Sequence, residues 1–408
     1  MLCRFCNTEL NYTFLDLGTC PPSNSYLNSI DDIDKEKSIP LLILLCENCW
    51  LLQTKDFEKA HELFMNDYAY FSSTSKTFLD HAKQFSIKII RKLNINNTKM
   101  VVEIASNDGY LLTNFIKKGI PCLGVEPTLS TATFAKNIGV PTINQFFSKS
   151  LSIELKKKGY GADLIVANNV YAHVPEINDF TAGLKILLNE GGTVCIEFPH
   201  LLNLIKYKQF DTIYHEHYSY LSIFTVSQIL HKHRLRIIDV EEIPTHGGSV
   251  RAYCCHNDDM RASNRSVKNI INAEKKFGLQ SIDAFKSFMI DVDKVANDLK
   301  NFLIDQKKQG KIVVGFGAAA KANTLLNYTG IGYDLIPFIC DSSLSKQGKL
   351  MPGSHIPIKS PEILKNSPPD YLLIFPWNIA DEIIEQNNFL RKHKTKFLLA
   401  LPSLKIIE

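Results

Sequence analysis

The stretch YHEHYSYLS, residues 214–222, gathers Tyr214, His215, Glu216 and His217 in an otherwise uncharged segment. Imidazoles titrate close to neutral pH, and burying them beside a carboxylate is costly unless each group finds a partner. These side chains suit proton transfer at a site that other segments must complete. The plainer alternative is a polar strand with solvated histidines. A second constellation pairs Cys3 and Cys6 of CRFC with Cys46 and Cys49 of CENC. Two residues between thiolates let a tight turn aim both sulfurs at one ion, and two such turns close a tetrahedral zinc shell with no position left for water. The expectation is structural zinc. Cys20, Cys122, Cys195, Cys254, Cys255 and Cys340 lack such pairing and read as small buried apolar side chains.

A third set of residues has the layout of nucleotide sites. VVEIASNDGYLL runs from a strand through small and polar residues into a helix, bringing backbone N–H groups to a ligand, and Glu126 ends the following strand in LGVEP. This arrangement resembles the binding face of class I S-adenosylmethionine-dependent methyltransferases. The resemblance puts Glu103 and Asp108 beside the methionine end, Ala105, Asn107 and Gly109 in the turn, and Glu126 on the ribose hydroxyls. Only Gly109 remains of the usual glycines, so a generic dinucleotide fold stays open. In VANNVYAHVPE, Asn168 and Asn169 are placed to cap or contact the cofactor, and His173 faces the substrate side. A lone histidine on such a turn is more often structural. KIVVGFGAAAKANTLLNYTG is another strand, glycine turn and helix, with Gly317 and Lys321 placed to meet phosphates. Arg251 of HGGSVRAY pairs either with phosphate or with a surface acid.

These residues need a scaffold. Strands at KMVVEIAS, IPCLGVEP, ADLIVANNV and GGTVCIEF alternate with helical segments, which predicts a mostly parallel sheet covered on both faces. Two charged amphipathic helices follow near 262–308 and are expected to bridge to a second alternating block. The fold class is therefore α/β; with the resemblance above, this implies a small zinc-binding domain at 1–68, a methyltransferase domain with a Rossmann-like sheet at 69–260, and a helical linker with a second Rossmann-like domain at 261–408. With 45% hydrophobic and 22% charged residues and a net charge of +4 spread along the chain, the composition is that of a soluble globular protein and not of a dedicated nucleic-acid binder. No apolar run reaches the ~18 residues needed to cross a bilayer, and the start lacks a signal-peptide pattern. A cytoplasmic location without membrane association is expected.

Taken together, CRFC…CENC, FLDLGTCPPSNSYL, EIASNDGYLL, NNVYAHVPE, YHEHYSYLS, HGGSVR and GFGAAAKANTLLNY span nearly the whole chain. The sequence resembles the sugar C-methyltransferase family, which builds branched deoxysugars on nucleotide carriers. The resemblance implies methyl transfer from S-adenosylmethionine to C3 of a 4-keto-6-deoxy sugar on a nucleoside diphosphate, usually thymidine diphosphate, by a monomer or homodimer. It places Tyr68, His173, Tyr214, Glu216 and His217 around the sugar, with His217 or Tyr214 as the base. Chemistry supplies a reason. A ring carbon has no electron pair to offer until its proton leaves, so a base and a donor for the developing enolate oxygen are both required. His217 is the expected base, Glu216 its orienter or a contact to the sugar, and Tyr214 or His173 the enolate donor. The carrier's diphosphate falls to the C-terminal glycine turn. His215, pointing opposite to its neighbours in an extended segment, is left out. A nucleotide-sugar O- or N-methyltransferase, an NAD-dependent oxidoreductase or epimerase, and a non-enzymatic zinc-ribbon adaptor remain alternatives.

Overall fold

The computed structural model describes residues 1–57, 71–74 and 76–408. Tyr68 lies outside the described residues. The N-terminal part pairs strands β1 (Tyr12–Cys20), β2 (Ile39–Leu45) and β3 (Leu52–Thr54) antiparallel. The middle sheet contains β4 (Val101–Ile104), β5 (Cys122–Val125), β6 (Thr142–Ile143), β7 (Ala162–Asn168) and β8 (Leu188–Pro199). The next strand in the chain, β9 (Ser219–Tyr220), comes from the His-Glu-His stretch and pairs with β3, completing the N-terminal sheet. Strands β10 (Leu235–Ile243) and β11 (Ser249–His256) then return to the middle sheet, whose order is β10-β11-β8-β7-β4-β5-β6. There β11 alone runs against the others.

Alternation along the middle strands sends successive side chains to opposite faces. Val102, Ile104, Ile165 and Ala167 join one apolar cluster, while Val101, Leu164, Val166 and Cys195 join another. The second cluster is covered by helix α1 (Lys76–Leu93), whose Ala82, Phe85 and Ile89 recur at helical spacing. The first is covered by α2 (Lys149–Lys157), α3 (Ile177–Leu187), α4 (Ile223–Lys232) and α5 (Arg265–Phe277). Helix α5 thus differs from the expectation of a bridge. Its apolar stripe, with Val267, Ile270 and Ile271, belongs to the middle core, since a helix with a wide apolar face is held by whichever sheet buries it. Only α6 (Phe288–Lys308) bridges parts: Phe288 stacks on Phe14 of β1 at 5.0 Å between ring centroids, and Leu299 and Leu303 share an apolar cluster with Val313 and Leu325 of the C-terminal part.

The C-terminal sheet comprises β12 (Val313–Phe316), β13 (Ile339–Cys340), β14 (Ile358–Lys359), β15 (Tyr371–Ile374), β16 (Lys396–Leu399) and β17 (Lys405–Ile407), ordered β14-β13-β12-β15-β16-β17. Helix α7 (Ala320–Thr329) follows β12. In both large sheets the strand order reverses at a central strand, β4 and β12, and ligands of such sheets gather in the crevice beyond the strand ends at that reversal. The two crevices face one cavity of about 670 Å³, lined from Asn24 in the N-terminal part to Asn378 in the C-terminal part.

Candidate active site

The turn after β4 keeps a glycine-like backbone without the usual glycines. Ala105 and Asn107 hold φ of 55° and 50°, in the left-handed region that non-glycine residues adopt at a cost. At Gly109, φ is 80°, and a Cβ would lie 2.8 Å from a methyl of Val140, so no larger residue fits. Glu126 stabilises the turn by accepting the Asn107 N–H on Oε2 and the Thr128 N–H on Oε1, each at 2.9 Å. Asn107 and Asp108 in turn accept the N–H groups of Ser72 and Ser73. Ala105, Asn107, Glu126, Asn168 and Asn169 line the cavity. Among the described residues, Glu103 Oε2, Asp108 Oδ1, Asn168 Oδ1 and Asn169 Oδ1 are buried without a hydrogen-bond partner. Burial, then the nearby charges of Glu126 and Asp108, push the Glu103 carboxyl well above its ordinary range. Asn168 and Asn169 line the cavity, whereas Glu103, Asp108 and Gly109 are not among its lining residues; the unmatched acceptors at the cavity fit a ligand that brings N–H groups, as S-adenosylmethionine does.

The residues of YHEHY do not form an extended strand. Tyr214 to Tyr218 turn before β9, and the turn sorts the side chains. His217 Nδ1 lies 2.8 Å from the Thr212 carbonyl oxygen, and a carbonyl accepts only, so Nδ1 carries the proton and Nε2 the lone pair. His173 Nδ1 makes the same kind of bond, 2.8 Å, to the Glu216 carbonyl. The His217 ring lies 4.6 Å from that of His173 and 4.0 Å from that of Tyr214, and all three residues line the cavity. Burial holds both imidazoles neutral, His173 at about 4 and His217 well below its ordinary value. The Glu216 side chain takes a different path. Its Oε1 accepts from Asn24 Nδ2 at 2.9 Å, its pKa is raised by burial, and His217 is oriented by the Thr212 backbone instead. His215 turns away to the Pro40 carbonyl at 3.3 Å.

From the C-terminal part, Ala319, Ala320, Lys321 and Lys346 line the same cavity. Gly317 sits behind them, its N–H on the Cys340 carbonyl. Lys346 donates to the Ala318 carbonyl at 2.8 Å, beside the glycine turn. Lys321 extends over the Trp377 ring, its ammonium 4.4 Å from the centroid, and donates to Asn378 Oδ1. Arg251 does not reach the cavity. It is buried on β11, donating through Nε and Nη2 to Glu197 Oε2 at 3.1 and 2.6 Å, and its acid partner is thus internal, not at the surface. Although burial pushes the Glu197 carboxyl up, His81 and the Arg251 guanidinium hold it at about 2. Asn24, Thr212 and His246 also line the cavity, and no motif spacing singled them out. For His246 the trace in the sequence is the glycine pair after it, which lets the chain turn at a residue with φ of 54°.

The four N-terminal cysteines converge. Their sulfurs lie within 4.8 Å of one another, with Cys3–Cys49 at 3.6 Å and Cys6–Cys46 at 3.5 Å. A tetrahedron with Zn–S bonds of about 2.3 Å has sulfur–sulfur edges of about 3.8 Å, so the cluster fits zinc, and four thiolates leave no open position. None of the four lines the cavity.

Comparison with known proteins matches three family models in order along the chain, and the third begins at residue 244, within the middle part, before β11 and α5. Family models fit a zinc binding domain at residues 3–64, a methyltransferase domain at 78–240 and a C-methyltransferase C-terminal domain at 244–402. The chain is 30% identical over 405 residues to C-methyltransferase NovU of Streptomyces niveus, covering 99% of this chain and 96% of that protein. Among solved structures, PH0226 protein from Pyrococcus horikoshii OT3 is 13% identical with a TM-score of 0.37, covering 49% of this chain and all (100%) of that one. An S-adenosylmethionine-dependent methyltransferase from Clostridium acetobutylicum ATCC 824 is 12% identical with a TM-score of 0.35, covering 43% of this chain and 91% of that one.

Proposed function

We propose that this chain, which belongs to the C-methyltransferase family and is an S-adenosylmethionine-dependent C-methyltransferase, methylates C3 of a 4-keto-6-deoxy sugar carried on a nucleoside diphosphate. The observation that carries this reading is His217: neutral, its tautomer set by the Thr212 carbonyl, in a cavity bounded by two nucleotide-type turns. One turn takes the methyl donor and leaves the other for the carrier of the acceptor. S-adenosylmethionine supplies, when bound, a methyl group activated on a sulfonium. Glu126 would hold its ribose hydroxyls, Glu103 and Asp108 its methionine end, and Asn168 and Asn169 the border with the acceptor.

His217 Nε2 takes the C3 proton of the sugar. The C–H electron pair becomes the C3–C4 double bond, and the carbonyl pair moves onto the C4 oxygen. The enolate carbon is then the nucleophile, which an oxygen or nitrogen acceptor would not need. Tyr214 and His173 flank His217 and bound the sugar's position, and Asn24, held by the Glu216 carboxylate, borders the cavity from the N-terminal part. The diphosphate is assigned to the start of α7, where Ala319, Ala320 and Lys321 line the cavity, because the N–H groups of Gly317, Ala318 and Ala319 already bond to Cys340, Asp341 and Gly317. Among the described residues no helix is long and apolar enough to cross a membrane.

The test is incubation with S-adenosylmethionine and 4-keto nucleotide sugars in heavy water, followed by mass spectrometry and NMR. The expected product carries the new methyl on C3, and unreacted substrate takes up deuterium there. A methyl on oxygen or nitrogen would reject the reading.

A further inference from the structure

Lys321 and His217 face one cavity from different domains, and adjacent residues set both. The Thr212 carbonyl holds His217 Nδ1–H at 2.8 Å. The Asp211 carboxylate accepts the Trp377 indole N–H on Oδ2 at 2.7 Å, and that indole lies under the Lys321 ammonium. Asp211 is 1% exposed, and its Oδ1 has no partner among the described residues. The same indole abuts the hairpin tip that carries His246, for a Cβ on Gly247 would lie 2.2 Å from Trp377 Cη2. The position of the ammonium relative to the base is therefore built into the contact between the middle and C-terminal parts. A second lysine stands at the glycine turn: Lys346 donates to the Ala318 carbonyl and lies 3.6 Å from Asp341, whose Oδ2 accepts the Ala318 N–H, whereas Lys321 is directed away from the turn toward Trp377 and Asn378.

We propose that Lys321 is a catalytic residue whose ammonium donates a hydrogen bond to the C4 carbonyl oxygen of the acceptor as that oxygen becomes an enolate. This role rests on the keto-sugar reading above. Its need follows from the base: an imidazole held neutral by burial is a weak proton acceptor, so the charge that develops on oxygen must be met by more than a neutral donor. A charge-assisted hydrogen bond is roughly twice as strong as a neutral one, and more effective where water is excluded. Burial lowers the Lys321 pKa to about 8, with Asp211 opposing that shift, so the ammonium persists near neutral pH. As His217 removes the C3 proton, the C4 oxygen gains the carbonyl electron pair and accepts from Lys321. As the C3–C4 double-bond pair forms the C3–methyl bond, the methyl–sulfur bond of the donor would break with its pair left on sulfur as a neutral thioether, and the pair on oxygen returns to regenerate the ketone. Lys321 keeps its protons throughout, and the proton on His217 leaves to solvent.

The experiment uses the full-length, zinc-loaded protein with Lys321→Met and Lys321→Gln. Four quantities are measured: kcat and KM with a 4-keto nucleotide sugar, deuterium uptake at C3 with S-adenosylhomocysteine in place of the donor, and Kd for thymidine diphosphate by calorimetry. S-adenosylmethionine affinity and the melting profile report folding. If the methionine variant does not fold, the glutamine variant, which keeps a donor for Asn378, decides. The expected result is a fall of about 100-fold or more in both kcat and C3 exchange, with KM and thymidine diphosphate affinity held. Wild-type exchange in a folded variant, or a loss of thymidine diphosphate affinity with kcat retained at saturation, overturns the proposal and returns Lys321 to the diphosphate. Absence of C3 exchange in the wild-type enzyme would instead remove the keto-sugar reading and this role with it.

Discussion

One backbone contact suits His217 to the proposed role of base. A carbonyl at 2.8 Å from Nδ1 leaves only Nε2 able to accept a proton, and the rings of His173 and Tyr214 restrict where that nitrogen points. We therefore expect His217→Ala to abolish both methyl transfer and C3 deuterium uptake while leaving S-adenosylmethionine affinity unchanged by calorimetry. The pH profile belongs to the same scale. Burial keeps His217 and His173 neutral through the range where free histidine protonates, so neither produces an acid limb near pH 6.5. The titratable groups around Lys321 are Asp211, raised by burial to about 6, together with His217 and His246. Lysine loses its charge as pH rises through its pKa of about 8, so kcat/KM should be flat between about 6 and about 8 and fall above that. A profile that instead rises through pH 7 to 9 would contradict this assignment.

At the scale of elements, one buried carboxylate sets how α4 and α5 meet the sheet. Glu274 of α5 accepts His200 Nε2–H at 2.7 Å and the N–H groups of Ile223 and Phe224 at 2.6 and 2.9 Å, satisfying donors at the start of α4. Glu274 is 0% exposed, so no water replaces it, and Glu274→Ala would leave three donors without acceptors. We expect a loss of about 3 kcal/mol or more, read from denaturant midpoints, with Glu274→Gln recovering part of it. The zinc cluster acts at this scale too. Cys3→Ser should release zinc and lower the melting temperature without changing the shape of the pH–rate profile, because a closed four-sulfur site offers no position for substrate or water. Metal content and the two profiles check it together.

Over the whole molecule, the site exists only where three parts meet. Asn24 comes from the N-terminal part, His217 from the middle and Lys321 from the C-terminal part, and β9 ties the first two by pairing with β3. The hairpin tip of β10 and β11 meets Trp377 across Gly247, whose φ is 84°. Gly247→Ala adds a methyl into the indole at a left-handed residue, so the two parts must move apart. Misplacing reacting groups by about 1 Å costs up to ~100-fold in rate. Turnover should therefore fall by about tenfold or more, while S-adenosylmethionine binding, made within the middle part, is retained. Parallel loss of both would place the damage in the middle sheet.

Much is legible in the sequence alone because it depends on local spacing. Paired cysteines two residues apart predict a knuckle whatever follows, and alternating apolar strands predict a covered sheet. The turns at Ala105–Gly109 and Gly317–Lys321 announce themselves as strand–turn–helix units. What the tertiary structure decided involves partners far apart in the chain. Arg251 finds Glu197 instead of phosphate, Glu216 finds Asn24 instead of His217, and α5 joins the middle core instead of bridging. Such choices are set by which buried groups satisfy one another once the sheets pack, and no window of sequence contains both partners. The nature of the side chains was written locally, but which nitrogen of His217 accepts a proton, and which cation faces it, was settled by packing between domains.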